Sequence, residues 1–128
     1  MTRIRAHTFK TQFTTGILSM TLAGAVTAGQ LEDGVAAHKR QHYVTAMRLW
    51  RPLADAGNAE AQANIGVLYR DAQGVPPGYE IDAYMWFSLA AAGGNKKAAT
   101  ERDTIAKGMT AAQITEAQRR VREWQPKR

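Results

Sequence analysis

The stretch AYMWFSLAAAGGNKKA, residues 83–98, places bulky side chains in a row and then little but Ala and Gly. In a helix, Trp86 and Phe87 point about 100° apart, so they can fill gaps toward two different neighbours. Small residues on the same faces let another helix approach closely: these are Ala83, Ala90 and Ala91. The stretch therefore predicts a buried helix that packs against neighbours on more than one side.

The rest of the chain after residue 28 also has a helical pattern. Val, Ile and Thr do not alternate with polar residues over a useful length, whereas Ala is abundant and apolar residues recur at spacings of three and four. Residues that end helices or form turns interrupt this pattern at three places: Gly57 with Asn58, the segment QGVPPGY, and Gly93 with Gly94. Thr110 and Gln113 predict a capping box. The fold class is all-α, with six predicted helices: residues 31–40, 43–56, 59–72, 79–92, about 96–108 and about 111–124.

A second copy of the opening pattern lies 37 residues earlier. Aligning Ala46 with Ala83 places Trp50 over Phe87, and Leu49 over Trp86. The same offset matches Gly57, Asn58 and Ala61 with Gly94, Asn95 and Ala98. A pair of helices fits this length, and each pair alone would expose an apolar face that only its neighbours can cover. An internal repeat is therefore predicted.

The segment AQANIGVLYRDAQGVPPGYEIDAYMWFSLAAAGGNKKA resembles a Sel-one-like repeat, a relative of the tetratricopeptide repeat. The pattern positions are occupied by Ala61, Ile65, Gly66, Tyr69, Gly74, Val75, Ala83, Trp86, Phe87, Ala90, Ala91, Gly94 and Ala98. Two loop residues depart from the pattern, because Ala72 replaces a Gly and Gly78 stands where Asp is common. The segment from residue 99 onward lacks the Leu-Gly and Tyr positions.

The resemblance implies a short α-solenoid of antiparallel helix pairs with a C-terminal capping helix. Residues 61–98 form the best repeat, residues 31–58 a partial one, and residues 99–125 the cap. The resemblance also implies a module that binds a protein or peptide partner in the groove of its helix stack.

The first 28 residues read as a secretory signal peptide. MTRIRAHTFK is positively charged, FTTGILSMTLAGAVTA is apolar, and Val26, Thr27 and Ala28 are small residues suited to cleavage after Ala28. An uncleaved anchor is the alternative, but the apolar run is short and diluted by Thr and Gly for a bilayer span. We expect a periplasmic or secreted helical domain, residues 29–128, without stable membrane insertion after cleavage.

The charge distribution argues against nucleic acid as a partner. The chain has 17 Lys and Arg against 11 Asp and Glu, a net charge of +6. Without Arg3, Arg5 and Lys10 of the leader the net charge falls to +3, and both signs are spread along the chain. A concentrated basic stripe with interleaved aromatic residues is missing. The chain also has no Cys, so an exported domain would have to be stabilised by packing alone.

No catalytic, metal or cofactor site is predicted. Ser88 follows Phe87 inside a helix and lacks the turn that exposes a nucleophile. His38 and His42 are four residues apart, a spacing that suits two metal ligands on one helix face, but a solvated corner between two helices is favoured. Gly93 and Gly94 lack the Lys and hydroxyl residue of a phosphate loop. Trp50, Trp86 and Trp124 are assigned to the core rather than to a ligand cage.

The favoured function is a non-catalytic interaction module. The residues expected to face the partner groove are the non-core polar ones of the third helix, namely Gln62, Asn64 and Arg70. A cell-envelope hydrolase is the alternative, and its support is resemblance alone. Self-association is a third hypothesis, and the sequence does not determine the oligomeric state.

Overall fold

The computed structural model describes residues 29–127, and these fold into helices without a strand. Helix α1 covers residues 29–39. The others are α2 (Tyr43–Asp55), α3 (Ala59–Arg70), α4 (Glu80–Ala92), α5 (Lys96–Ala106) and α6 (Ala111–Glu123). The all-α prediction is confirmed for this part of the chain, and each helix lies within two residues of its predicted bounds. The predicted signal peptide, residues 1–28, lies outside the described residues.

The same local structure connects α2 to α3 and α4 to α5. Both bounds of α4 lie 37 positions after those of α2. Gly57 and Gly94 have φ of +102° and +101°, a conformation that glycine adopts without strain. Each is followed by an Asn whose side chain accepts a hydrogen bond from the backbone N–H three residues later, over 2.9 Å at Asn58 and 3.0 Å at Asn95. Because the two connections have the same local structure, the chain changes direction between α2 and α3 as it does between α4 and α5.

Consecutive helices pack against each other from α2 to α5, and α6 packs against α4. Helix α1 is joined to α2 by two side-chain hydrogen bonds: Trp50 Nε1 donates to the carbonyl of Leu31 over 3.1 Å, and Gln30 donates to the carbonyl of Leu49 over 3.0 Å. Helix α4 therefore lies at the centre, with three helices against it.

Trp86 and Phe87 on α4 belong to two different hydrophobic clusters. The first contains Trp86 and is formed with residues of α1, α2 and α3, including Trp50, Leu53, Ile65 and Leu68. The second contains Phe87 with Ala83, Ala90 and, from α5, Ala98. All of these residues are buried. The bulky pair in the opening stretch thus joins the helices on both sides of α4.

Two glycines allow close contact between a helix and an aromatic ring. A Cβ built at Gly34 on α1 would lie 2.6 Å from Trp50 Cδ1, and one at Gly66 on α3 would lie 2.7 Å from Phe87 Cε1. Both distances are shorter than a side chain tolerates, so each helix approaches its partner ring only because this position has no side chain. Trp50 and Phe87 are also aligned with each other by the 37-residue offset.

The loop between α3 and α4 contains a strained residue where the sequence departs from the repeat pattern. Ala72 has φ of +52°, in the left-handed region that favours glycine, and Gly74 has φ of +72°. A side chain in this region costs about 1 kcal/mol or more. Ala72 therefore adopts the conformation for which the pattern uses glycine.

The C-terminal segment returns to the first half of the domain. Helix α6 begins with the predicted capping box between Thr110 and Gln113. Its Arg120 reaches Asp82 of α4 over 3.4 Å. After the helix, the backbone N–H of Lys127 donates to the carbonyl of Asp55 at the end of α2 over 2.7 Å. No helix within residues 29–127 has the length and apolar character needed to cross a membrane.

Glu116 on α6 is expected to titrate far below an ordinary glutamate. Its carboxylate accepts hydrogen bonds from Arg119 over 2.7 and 2.9 Å and from Arg120 over 2.9 Å, and these donors lower its pKa from 4.5 to about 2. Because the pKa falls on folding, the stabilisation is complete above pH 4.5 and is lost as the pH falls through 2. Glu116 and its two arginine partners are accessible to solvent, so their interaction adds little to the free energy of unfolding.

A carboxyl-detected NMR titration measures this pKa directly. The Glu116 midpoint should lie near 2 in the native chain and should rise toward 4.5 in Arg119→Ala. The control Arg102→Ala removes an arginine that pairs with Asp103 instead, so it should leave the midpoint in place. A native midpoint near 4.5 would contradict the arrangement of these side chains.

Candidate interaction groove

A groove of about 390 Å³ lies between α3 and α5, with Phe87 of α4 at its floor. The lining side chains include Asn64, Val67 and Arg70 of α3, and Lys97 and Glu101 of α5. We call this surface the α3–α5 groove. It combines an apolar floor with charged and amide groups on both walls, the composition expected of a surface that binds a polypeptide by both burial and hydrogen bonding.

Arg70 connects the two walls of the α3–α5 groove. Its guanidinium donates to Glu101 of α5 over 2.5 Å and to both carboxylate oxygens of Asp71 over 2.7 and 2.9 Å. The hydrogen bond to Asp71 is the largest influence that raises the pKa of Arg70, and it is also the main reason why the pKa of Asp71 is lowered. Two carboxylates hold the guanidinium in place, so Arg70 presents a fixed, largely neutralised edge of the groove.

Asn64 lies between the α3–α5 groove and a smaller depression. The smaller depression has a volume of about 110 Å³ and is also lined by Val35 and His38 of α1, and by Trp50. The side-chain nitrogen of Asn64 is buried and has no hydrogen-bond partner among the described residues. A buried donor without a partner costs about 1–3 kcal/mol. Asn64 therefore lines both depressions and holds an unpaired donor that is closed off from solvent.

The assignment of Gln62 to the groove is wrong. Gln62 is only 2% exposed, and its side-chain nitrogen donates to the carbonyl of Ala54 on α2 over 3.1 Å. Its amide thus links α3 to α2 inside the domain. Of the three residues predicted for a partner groove, the structure brings Asn64 and Arg70 to one surface and places Gln62 in the interior.

His38 does not occupy a fully solvated corner. Its ring is half-buried, lies 5.3 Å from the ring of Tyr43 and 5.9 Å from that of Trp50, and shares a 2.8 Å hydrogen bond with Gln73. His42 is exposed and immediately precedes α2. Across residues 29–127, no three His, Cys, Asp or Glu side chains are grouped in a way that could hold a metal ion.

The other residues considered for catalysis or ligand binding, Ser88 and the three tryptophans, make contacts inside the domain. The hydroxyl of Ser88 donates to the carbonyl of Tyr84, one turn earlier in the same helix, over 2.8 Å. Trp50 and Trp86 are buried in one cluster, and Trp124 packs against that cluster while half-buried. These tryptophans form part of the core rather than the wall of an open cage. The α3–α5 groove is taken as the candidate site because it brings Asn64 and Arg70 together with apolar side chains.

Comparison with known proteins adds no identification. The chain matches no family model, no curated protein and no solved structure. The resemblance to Sel-one-like repeats thus rests on the sequence pattern in residues 61–98.

Proposed function

We propose that this chain is an exported, non-catalytic helical-repeat module that binds a peptide or protein partner in the α3–α5 groove. The observation that carries the proposal is Asn64, which lines the groove and whose side-chain nitrogen is buried without a partner among the described residues. Rotation of this side chain toward a peptide carbonyl in the groove would supply the missing acceptor and remove the cost of leaving the donor unpaired.

The repeat character of the fold is part of the proposal. Support comes from the 37-residue offset between the bounds of α2 and α4 and from the matching corners at Gly57 and Gly94. In an α-solenoid of antiparallel helix pairs, α3 and α5 would be equivalent helices of neighbouring units, and a groove between equivalent helices is the concave surface that such stacks use for binding. Helix α6 would then cap the stack, and the leader sequence supports export.

The groove favours a partner segment of mixed character. Val67 and Phe87 give it an apolar floor, while Glu60 and Lys97 place one charge of each sign at its rim. A segment with one or two apolar side chains flanked by polar residues would bury apolar surface and keep its charges paired. Because Arg70 is already neutralised by Glu101 and Asp71, the groove has no strong preference for an anion.

Photocrosslinking from defined positions tests this proposal. The full chain, carrying a benzophenone amino acid at Lys97 in the groove, is expected to form a discrete adduct in cells. The same amino acid at Lys107, which follows α5 outside the groove, should not form that adduct. Asn64→Leu keeps a side chain of similar size without the amide and should reduce the adduct by about tenfold, equivalent to one lost hydrogen bond of about 1.4 kcal/mol.

A substitution away from the groove provides the matched control. Gln118 is exposed on α6, and Gln118→Leu makes the same chemical change without touching the groove. The native amount of adduct is expected in this variant. Identical adducts from positions 97 and 107, or an adduct unaffected by Asn64→Leu, would refute binding in the α3–α5 groove.

A further inference from the structure

One face of α2 points away from the core and forms a second, larger concavity of about 770 Å³. Its side chains follow helical spacing along the whole helix: Val44, Met47, Arg48, Arg51, Pro52 and Asp55. Lys127 of the C-terminal segment lines the same concavity. We call these seven residues the outer α2 surface. It shares no residue with the α3–α5 groove.

The outer α2 surface combines apolar and charged side chains and is open to solvent. Val44 is 59% exposed and Pro52 is exposed, whereas Met47 is half-buried and packs against the core cluster. The opposite face of α2 contains the buried residues Ala46, Trp50, Leu53 and Ala54, which already pack in the core. The outward face of α2 thus presents exposed apolar and charged side chains opposite its packed face, a combination that suits the binding of a second partner.

The charges of the outer α2 surface favour an acidic partner. Three cations, Arg48, Arg51 and Lys127, surround one carboxylate, that of Asp55. Asp55 is paired with Arg51 over 3.0 Å and with Lys127 over 3.6 Å. Within residues 29–127, Arg48 has no ion-pair partner, so its charge is available to a ligand. At 100° per residue, Arg48 and Arg51 lie between Met47 and Pro52 on the face of the helix, so positive charges lie beside apolar side chains.

The leader sequence of the chain itself is a poor match for this surface. Residues 1–28 contain Arg3, Arg5 and Lys10 and no Asp or Glu, so they would place positive charges against Arg48 and Arg51. Like charges brought together at an interface oppose binding. The occupant has to be a segment that carries negative charges beside apolar side chains.

We propose that the outer α2 surface docks an acidic amphipathic helix of a partner protein. The helix α2 has 13 residues and is about 20 Å long, which fits a partner helix of three to four turns. Apolar side chains at every third or fourth position of the partner would cover Val44, Met47 and Pro52. Carboxylates beside these apolar side chains would pair with Arg48, Arg51 and Lys127.

A charge-exchange experiment with defined peptides tests the proposal on the full chain. The probe is a fluorescent peptide of about 14 residues, with Leu at helical spacing and Glu beside the Leu face; the matched peptide has Lys in place of Glu. Fluorescence anisotropy should show tighter binding of the Glu peptide, with an affinity that falls as salt rises. Arg48→Glu should weaken that binding by about tenfold or more and improve binding of the Lys peptide.

The control variant is Arg122→Glu, because Arg122 is exposed on α6 and lies outside the surface. It changes the net charge by the same amount and should leave the binding of both peptides within twofold of the native chain, as expected of long-range effects alone. If Arg48→Glu and Arg122→Glu change the peptide affinities equally, binding depends on net charge alone and the proposal is overturned. Binding to anionic phospholipid vesicles that exceeds peptide binding, or a mass in light scattering that doubles with concentration and blocks the peptide, would overturn it as well.

Discussion

Replacement of Trp86 by alanine is expected to lower the free energy of unfolding by about 3–5 kcal/mol. Trp86 is 3% exposed and contacts the cluster that also contains Trp50, Ile65 and Leu68. The guanidinium of Arg51 lies 5.3 Å from the centre of its ring and would lose this contact too. Because domains of this size are stabilised by only about 5–15 kcal/mol, the loss is a large fraction of the total.

Urea denaturation followed by far-UV circular dichroism measures the change. Trp86→Phe keeps an aromatic ring in place and should retain enough stability for a folded baseline if the alanine variant does not fold. Trp124→Ala is the matched control, because this ring is only half-buried at the edge of the same cluster and should cost about 1–2 kcal/mol. Equal midpoints for the native protein and Trp86→Ala would show that α4 is not packed as described.

Helix bounds were predictable from the sequence because they depend on neighbouring residues. The signal at Gly57 and Asn58 consists of a residue that adopts positive φ and a side chain that accepts a nearby backbone hydrogen bond. The same chemistry operates at Gly94, and the Thr110 capping box is equally local. No knowledge of the tertiary structure is needed to read these signals.

The groove was only partly predictable because it depends on how helices are placed. Gln62 and Asn64 are both polar residues of α3, and their spacing of two places them about 160° apart on the helix, but it does not show which of the two faces a groove. The interior position of Gln62 is stabilised by the carbonyl of Ala54, which belongs to another helix. The link between Arg70 and Glu101 spans 31 positions and forms only when α3 and α5 are both packed against α4. Side-chain partners at this distance cannot be inferred from local spacing.

The role of Gly34 was missed, although the sequence contained a signal for it. Gly34 and Val35 repeat as Gly66 and Val67, 32 positions later, and the second pair lies within the segment that resembles a Sel-one-like repeat. In the structure both glycines face an aromatic ring of the following helix. The 37-residue offset does not relate this pair of glycines, because the α1–α2 and α3–α4 loops differ in length.

Substitution of Gly34 by alanine is expected to lower the free energy of unfolding by about 2 kcal/mol, as overpacking in a tight core does. The new methyl group would meet the indole of Trp50, whose Nε1 donates to the carbonyl of Leu31. The ring would have to move and give up that hydrogen bond. This cost outweighs the gain of about 1 kcal/mol that alanine brings to a helix interior.

A double-mutant cycle with Trp50→Phe separates the steric contact from general destabilisation. Phenylalanine is smaller and has no ring N–H, so Gly34→Ala should cost at least about 1 kcal/mol less in that background. The control is Gly108→Ala, where the nearest atom to the added Cβ is the carbonyl oxygen of Ile105 at 3.8 Å, an ordinary contact. If urea denaturation gives the same change for Gly34→Ala and Gly108→Ala, the close approach of α1 to Trp50 is refuted. If Gly34→Ala lowers the free energy of unfolding, Gly108→Ala does not, and Trp50→Phe reduces the effect of Gly34→Ala, then the missing side chain at position 34 is what allows α1 to pack against α2.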